Sequence, residues 1–452
     1  MNRVIIIGNG FDKAHQLPTG YTDFINRYWE TVSYKIFGAY DRWMAEHYGQ
    51  INMPNPYEDD LISFQVFREK GHGERLPFDS ILADNAYADI CEFINRINQD
   101  DTIQGSCSLK FKNQFLKHLS ELYSLKNWVD IENEYYDKLK EILSTDSYTT
   151  TDPVLKQTIS KQMRQISSNT SAKQLNQELE AIKKLLERYL TEITTSAQIT
   201  KHPSIQEAFH SQVRLAEVAC SKYQMLLESI MSHIVSLDRK DVISEDGKND
   251  SKYLSCQSRE DKVRHYIWKN MEDKNSNFTK THFTPEKTLI LNFNYTRTAE
   301  QLYADKNCEV IHIHGELNNP DNPIIFGYGD ELDDDYRNIE NLQDNEFLEN
   351  IKSMRYFETG NYRAMLDFIE SQPYQIFIMG HSCGNSDRTL LHKLFEHRNC
   401  FSIKAFYHQR EDGTDDYSNL IRNISRNFND KSEMRDIVVN KTLSSPLVPL
   451  VK

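Results

Sequence analysis

The stretch Val4-Ile5-Ile6-Ile7-Gly8-Asn9-Gly10-Phe11-Asp12 decides the fold class. A short β-branched run ended by a glycine leaves no position for a wet face, the pattern of a strand buried on both sides in a parallel sheet. Glycines directly after a first strand let backbone N–H groups approach a phosphate, while the next helix aims its positive end at it. Gly8, Asn9, Gly10, Phe11 and Asp12 are therefore candidate nucleotide-binding residues. Lys13 stands where a full dinucleotide fingerprint has its third glycine, and a lone G-x-G also serves as an ordinary strand-to-helix turn. Asp12 would repel a phosphate, so its expected task is a ribose hydroxyl or a hydrogen bond that holds the loop.

Outward from this stretch the character changes. From about residue 31 to 279 the chain is polar and rich in Lys, Glu, Gln, Asn and Tyr, with apolar spacing near 3.5 and few strand-like runs. Leu175, Leu179, Ile182, Leu186, Tyr189 and Ile193 step by fours and threes. Ile205, Phe209, Val213, Ala216, Cys220, Tyr223, Leu227, Ile230 and Ile234 repeat that stepping after His202-Pro203, and Ser204-Ile205-Gln206-Glu207 reads as a capping box. The spacing predicts a long helix pair near 153–237, packed within the chain or serving as an oligomer contact.

After Pro285 strand-like runs return: 288–291, 310–313, 324–326, 374–379 and 401–406, alternating with helical patterns near 296–305, 346–371 and 386–397 as in βαβ units. The expected fold class is α/β. Residues 1–30 together with 280–452 should form one parallel sheet domain, and 31–279 a large, mostly helical insertion.

Composition bounds the function. The chain has 452 residues, with 53 Lys and Arg against 67 Asp and Glu, a net charge of −14 that repels a phosphate backbone. Nucleic acid is thus disfavoured as a partner. Seven widely spread cysteines with no Cys-x-x-Cys pair read as reduced thiols. The opening segment has only a four-residue apolar run, and no segment approaches the roughly 18 apolar residues of a membrane span. The expectation is a cytoplasmic protein with no membrane partner.

Parallel sheets present ligands at the carboxyl ends of their strands, which draws attention to three further loops. Asn292-Phe293-Asn294-Tyr295-Thr296 and His312-Ile313-His314-Gly315 follow successive runs. Asn294 with His314 can orient a water and act as general base on a sugar hydroxyl, because imidazole titrates near neutrality. His312 should face the same side, and no third ligand at zinc-type spacing accompanies the pair. Gly380-His381-Ser382-Cys383-Gly384 follows the run 374–379 and can be read as a nucleophile elbow, with Ser382 the nucleophile of a serine hydrolase. The acidic partners and histidines available after it, Asp387 among them, are in the wrong order or crowded into one short segment. The stretch Asp330, Glu331, Asp333, Asp334, Asp335 is either a divalent-ion site or a solvated loop.

Taken together the loops resemble the AbiH family of bacterial phage-defence proteins, which is related to the sirtuin-like group of Rossmann domains. The resemblance rests on Gly8 to Asp12 with Leu17-Pro18-Thr19 and Tyr21-Thr22-Asp23-Phe24, on Trp128-Val129-Asp130-Ile131-Glu132, and on Phe293 to Thr296. His312 to Gly315, Ile324-Ile325-Phe326-Gly327-Tyr328-Gly329-Asp330 and Gly380 to Asp387 complete it. It implies a Rossmann-like, sirtuin-like sheet in which Asn294 lies by the nicotinamide ribose, His314 is the catalytic base, and Gly380 and Ser382 contact the cofactor. Three features depart from the sirtuin pattern: Thr296 where an acid is expected, Asp12 where Ser is frequent, and no four-cysteine zinc ribbon. No zinc is expected, and protein deacylation fits poorly. The implied function is an abortive-infection effector that hydrolyses NAD or another nucleotide, activated on infection. The alternatives are a non-catalytic nucleotide sensor and the Ser382 hydrolase. Trp128, Asp130 and Glu132 either reach the rim, with Trp128 stacked on a base, or form a helix N-terminal segment with a buried Trp. The insertion would contact a second copy or a partner defence protein.

Overall fold

The computed structural model describes residues 1–46, 57–66, 107–126, 130–144, 153–236 and 283–450, with a few positions between 258 and 267. Strand β1 (Asn2–Ile7) is buried along its whole length. It pairs in parallel with β5 (Thr288–Asn292) on one edge and β7 (Tyr374–Met379) on the other, Ile7 lying opposite both Asn292 and Met379. β6 (Cys308–His312) extends the sheet beyond β5, and β8 (Cys400–Phe406) beyond β7, so the order is β6-β5-β1-β7-β8. Side chains alternate across the pleat. Val4 and Ile6 face one way, with Leu289, Leu291, Ile376 and Ile378, under Ile369, Leu390 and Leu394. Ile5 and Ile7 face the other way, with Ile290, Phe377 and Met379, under Phe11, Ile205, Phe209 and Tyr303. The two halves of the sequence therefore build one sheet with both faces covered, as the β-branched run requires.

Of the expected C-terminal strands, Ile324-Ile325-Phe326 is not a ladder strand. It is buried loop, tied to the rim by Ile325 N–H donating to the His314 carbonyl.

The region read as an insertion divides differently from the expected boundaries. The helix Pro153–Ser196 carries the predicted stripe, and Leu175, Leu179, Ile182, Leu186 and Tyr189 are buried. Their partners are Phe24, Ile25 and Trp29 of helix Tyr21–Glu46, Leu119 of helix Gln114–Lys126, and Tyr135 and Leu139 of helix Ile131–Ser144. A small antiparallel sheet of β2 (Tyr57–Glu58), β3 (Ile62–Val66) and β4 (Cys107–Phe111) joins this cluster in a region expected to be mostly helical.

Among the described residues the predicted second arm shares no core cluster with the first. It breaks into helices Pro203–His210 and Tyr223–Ser236, separated by two 3-10 turns. Ile205 and Phe209 cover the sheet, whereas Val213, Leu226, Leu227 and Ile230 cluster with Met1, Phe283 and Phe401. The expected capping box is absent too. Pro203 sits in the first turn, where its missing N–H costs nothing, which makes His202 the cap and leaves Ser204 to donate to the Leu447 carbonyl. Residues 203–236 thus belong with the sheet.

A buried polar layer explains why. Arg3 is fully buried, its guanidinium 4.1 Å from the centroid of the Phe377 ring, and it donates to the Phe209 carbonyl and to Gln375 Oε1. Gln375 donates to Glu217 Oε2 at 3.2 Å, Lys404 to Glu217 Oε1 at 2.7 Å, and Ser402 to the Glu217 carbonyl at 2.7 Å. Burial lowers the Arg3 pKa to about 9 even with the Glu217 charge nearby. Glu217 is the acceptor on which this layer converges, so removing it strands buried cations. Glu217→Ala is expected to lose about 3 to 5 kcal/mol of stability, the usual cost of breaking a buried pair, with Glu217→Gln losing less. Urea unfolding followed by far-UV circular dichroism checks this.

Candidate functional site

The strand-end loops meet at the carboxyl ends of β1, β5, β6 and β7. Gly10 N–H donates to the Gly380 carbonyl at 2.7 Å, and Gly380 has φ +73°. A Cβ on Gly8 would lie 2.5 Å from His381 Cα, and one on Gly380 would lie 2.0 Å from Phe11 N. The glycines are needed here for loop-on-loop approach, since the space beside Gly8 is taken by His381. Phe11 is buried beneath the loop, and Asn9 Nδ2 donates to Thr19 Oγ1 at 2.7 Å.

Of the two tasks open to Asp12, the structure shows loop-holding. Asp12 is fully buried and accepts from the Thr296 hydroxyl at 2.6 Å. Burial raises its pKa, opposed by hydrogen bonds from Thr296, Thr298, Thr19 and Asn294. The first loop thus supplies a buried carboxylate and the second the hydroxyl that donates to it. Asn294 completes the joint, its side-chain amide donating to the Gly8 carbonyl at 3.0 Å.

The two histidines part company. His312 Nε2 meets Glu300 Oε2 at 2.6 Å and its Nδ1 the Asn294 carbonyl at 3.2 Å. His314 Nε2 lies 3.2 Å from the Tyr356 hydroxyl and 3.3 Å from Asp387 Oδ1. Its ring also bonds to the Phe293 backbone. Burial, reinforced by the Lys352 charge, holds His314 down at about 3, although Asp387 pulls the other way. Gly315, at φ +85°, can only be glycine, because a Cβ would lie 2.1 Å from the Pro323 carbonyl oxygen.

Beyond His314 lies a charged cluster. Lys352 is 1% exposed and donates to Glu132 Oε2 and Asp387 Oδ1, both at 2.8 Å. Asp387 Oδ2 is 3.4 Å from His381 Nε2. His381 Nδ1 accepts from Cys383 N–H at 3.0 Å, so a neutral His381 carries its proton on Nε2, toward Asp387. Burial works against ionising Asp387, yet Lys352, with His314 and His381, holds it well below the carboxylate range. Burial likewise works against the Lys352 charge, but Asp387 and Glu132 raise it.

Asp130 and Glu132 divide the two readings between them. Asp130 Oδ1 accepts from the N–H groups of Glu132 and Asn133, capping helix Ile131–Ser144. Glu132 instead reaches the cluster. Trp128 lies outside the described residues. Ser382 is exposed, and its carbonyl accepts from Asn423 Nδ2. The positive φ values fall at Gly380 and Cys383 rather than at Ser382, and the neighbouring His381 is committed to Cys383 and Asp387. Among the described residues Ser382 is not joined to a histidine. Asp330 pairs with Arg388 at 3.2 Å, and Asp333 caps helix Asp334–Asn341. Among the described residues no group of three His, Cys, Asp or Glu side chains is placed to hold a metal ion.

Sequence reasoning missed Lys352, Tyr356 and the role of His381. Lys352 sits in Asn350-Ile351-Lys352-Ser353, which carries no signature. His381 stands in Gly380-His381-Ser382-Cys383-Gly384, a pattern that points to its serine rather than to its histidine.

A family model described as "Bacteriophage abortive infection AbiH" matches residues 4–223 and 228–409, spanning sheet and insertion alike. No curated protein and no solved structure matches the chain.

The His314 environment makes a pH prediction. Its pKa falls from 6.5 to about 3 on folding, so between those values the unfolded chain takes up a proton that the native site refuses. Stability should fall as pH falls through that window. Between pH 7 and pH 5 the drop is expected to be smaller in His314→Gln than in the wild type by on the order of 2 kcal/mol. Equal drops in urea unfolding at the two pH values would remove this account of the buried neutral ring.

Proposed function

The chain belongs to the AbiH family of bacteriophage abortive infection proteins, and from that premise we propose that it is an effector that cleaves a nucleotide, NAD first among the substrates. Numbered within the parallel sheet, the strand order 3-2-1-4-5 has the first five places of the six-strand dinucleotide-binding order, which supports a Rossmann-like reading. The chain crosses the sheet after β6, so the switch point lies between β1 and β7, where the Gly8 and Gly380 loops pack on each other. The observation that carries the proposal is the buried His314 ring, whose Nε2 lies 3.2 Å from the Tyr356 hydroxyl and 3.3 Å from Asp387 Oδ1, beside the Lys352–Asp387 ion pair at this rim. A buried titratable group next to a fixed charge pair supports acid–base chemistry, and a base held at about 3 takes the proton only as bond-making to the ribose turns the attacking water acidic.

In the proposed reaction a water attacks C1′ of the nicotinamide ribose. The C–N bond breaks with its electron pair leaving on nicotinamide, and His314 accepts the proton of the water. Asn294 is a positioning residue, because it acts through the Gly8 carbonyl. A non-catalytic nucleotide sensor is the second reading. It is favoured by the closure of the cluster, in which Glu132, His314, Lys352, His381 and Asp387 are all buried.

Nicotinamide release from NAD by the purified chain tests both. His314→Ala is expected to lose at least ~10²-fold in rate with nucleotide binding retained. Asn294→Ala should fall comparably, and the double variant by much less than the product of the two. His312→Ala should lose less. Full rate after His314→Ala would overturn the mechanism, and tight NAD binding without turnover in the wild type would establish the sensor.

A further inference from the structure

Glu132 comes from the insertion, whereas the groups it touches belong to the sheet half. Its carboxylate has two donors: Lys352 Nζ on Oε2 at 2.8 Å, and the Gly327 backbone N–H on Oε1 at 3.3 Å. The donors share one frame, since Tyr328 N–H donates to the Asn350 carbonyl and Lys352 N–H to the Tyr328 carbonyl. Gly327 must be glycine for this approach, because a Cβ would lie 1.9 Å from the Asn350 carbonyl oxygen. An ammonium and a backbone N–H aimed at one point make a receptor for an oxyanion, and phosphate accepts from the same donors as carboxylate.

The cradle does not need Glu132 to keep its shape. Asp387 holds Lys352 from the other side at 2.8 Å and is flanked by His314 and His381. The two carboxylates are also unequal. Burial raises the Glu132 pKa against the pull of Lys352, whereas Asp387 is held low. Of the two, Glu132 is the more weakly retained anion.

We propose that Lys352 Nζ and the Gly327 N–H form a binding site for a phosphate or pyrophosphate group, and that Glu132 fills it as an internal stand-in which the ligand displaces. That the anion belongs to a nucleotide rests on the preceding proposal, while the cradle itself does not. Glu132 lies on helix Ile131–Ser144, whose Ile131, Tyr135 and Leu139 sit in a core that the insertion's helices share with Phe326, Tyr328 and Phe347. Ligand entry and insertion position therefore share one equilibrium, and each biases the other.

Titration calorimetry of the full chain with inorganic pyrophosphate, then with ADP-ribose, tests the cradle. Glu132→Gln removes the competing charge and keeps the shape, so it should bind pyrophosphate at least tenfold more tightly than the wild type. The double variant Glu132→Gln, Lys352→Met should lose that gain. A cooperatively melting Glu132→Gln chain with wild-type affinity, or a double variant that keeps the gain, overturns the proposal. If Glu132→Gln fails to fold, Glu132→Asp, one methylene shorter, should give a smaller gain in the same direction, and no gain overturns the proposal. Pyrophosphate gain without NAD cleavage supports the cradle and refutes the hydrolase, whereas NAD cleavage with unchanged pyrophosphate affinity refutes the cradle alone.

Discussion

Strand β1 hydrogen bonds along both edges, to β5 and to β7, although its partners begin at Thr288 and Tyr374. Everything at the rim depends on that double pairing. It aligns Gly8 with the ends of both neighbours, so the Asn294 amide reaches the Gly8 carbonyl from one side and the Gly380 carbonyl accepts from Gly10 on the other. A central parallel strand has no wet face, so Val4 to Ile7 cannot be satisfied until both covering layers are in place. Closing so long a loop is entropically tolerable because the cost grows only logarithmically with length. The insertion could therefore become large without loosening the sheet.

The two buried polar systems do opposite jobs. Below, Arg3, Gln375, Lys404 and Glu217 fasten residues 203–217 to the sheet. Above, Lys352, Asp387 and Glu132 join the sheet half to the insertion. Buried ion pairs are weak contributors to net stability but costly to break on one side. Such pairs fix which surfaces meet more than how firmly they hold. The upper pair also tunes its neighbour, since the Lys352 charge helps to keep His314 neutral.

The helical region shows how periodicity can be right about burial and silent about partners. Leu175 to Tyr189 are buried as their spacing requires, yet their partners are Phe24, Trp29, Tyr135 and Leu139 instead of the residues after Pro203. Ile205 and Phe209 obey the same spacing and cover the other face of the sheet. A stepping of three and four states that one helix face is apolar, and any apolar surface of matching shape satisfies it. The break of the second arm near 211–222 lies at two ties to the sheet, Arg3 of β1 donating to the Phe209 carbonyl and Glu217 accepting from Gln375 and Lys404.

The features legible along the chain are local: a β-branched run ended by glycine, loops after strands that carry Asn294, His314 and Gly380, and a helix stripe that must be buried. Those features depend on neighbours a few positions away, and period and backbone conformation write them directly into the chain. Long-range packing settles that Glu132 and Lys352 meet, that Thr296 donates to Asp12 across two loops, and that His312 and His314 take different partners. An ion pair between residues 220 positions apart leaves no trace in local pattern. Its charges are ordinary until folding removes the water around them, and only then does each need the other.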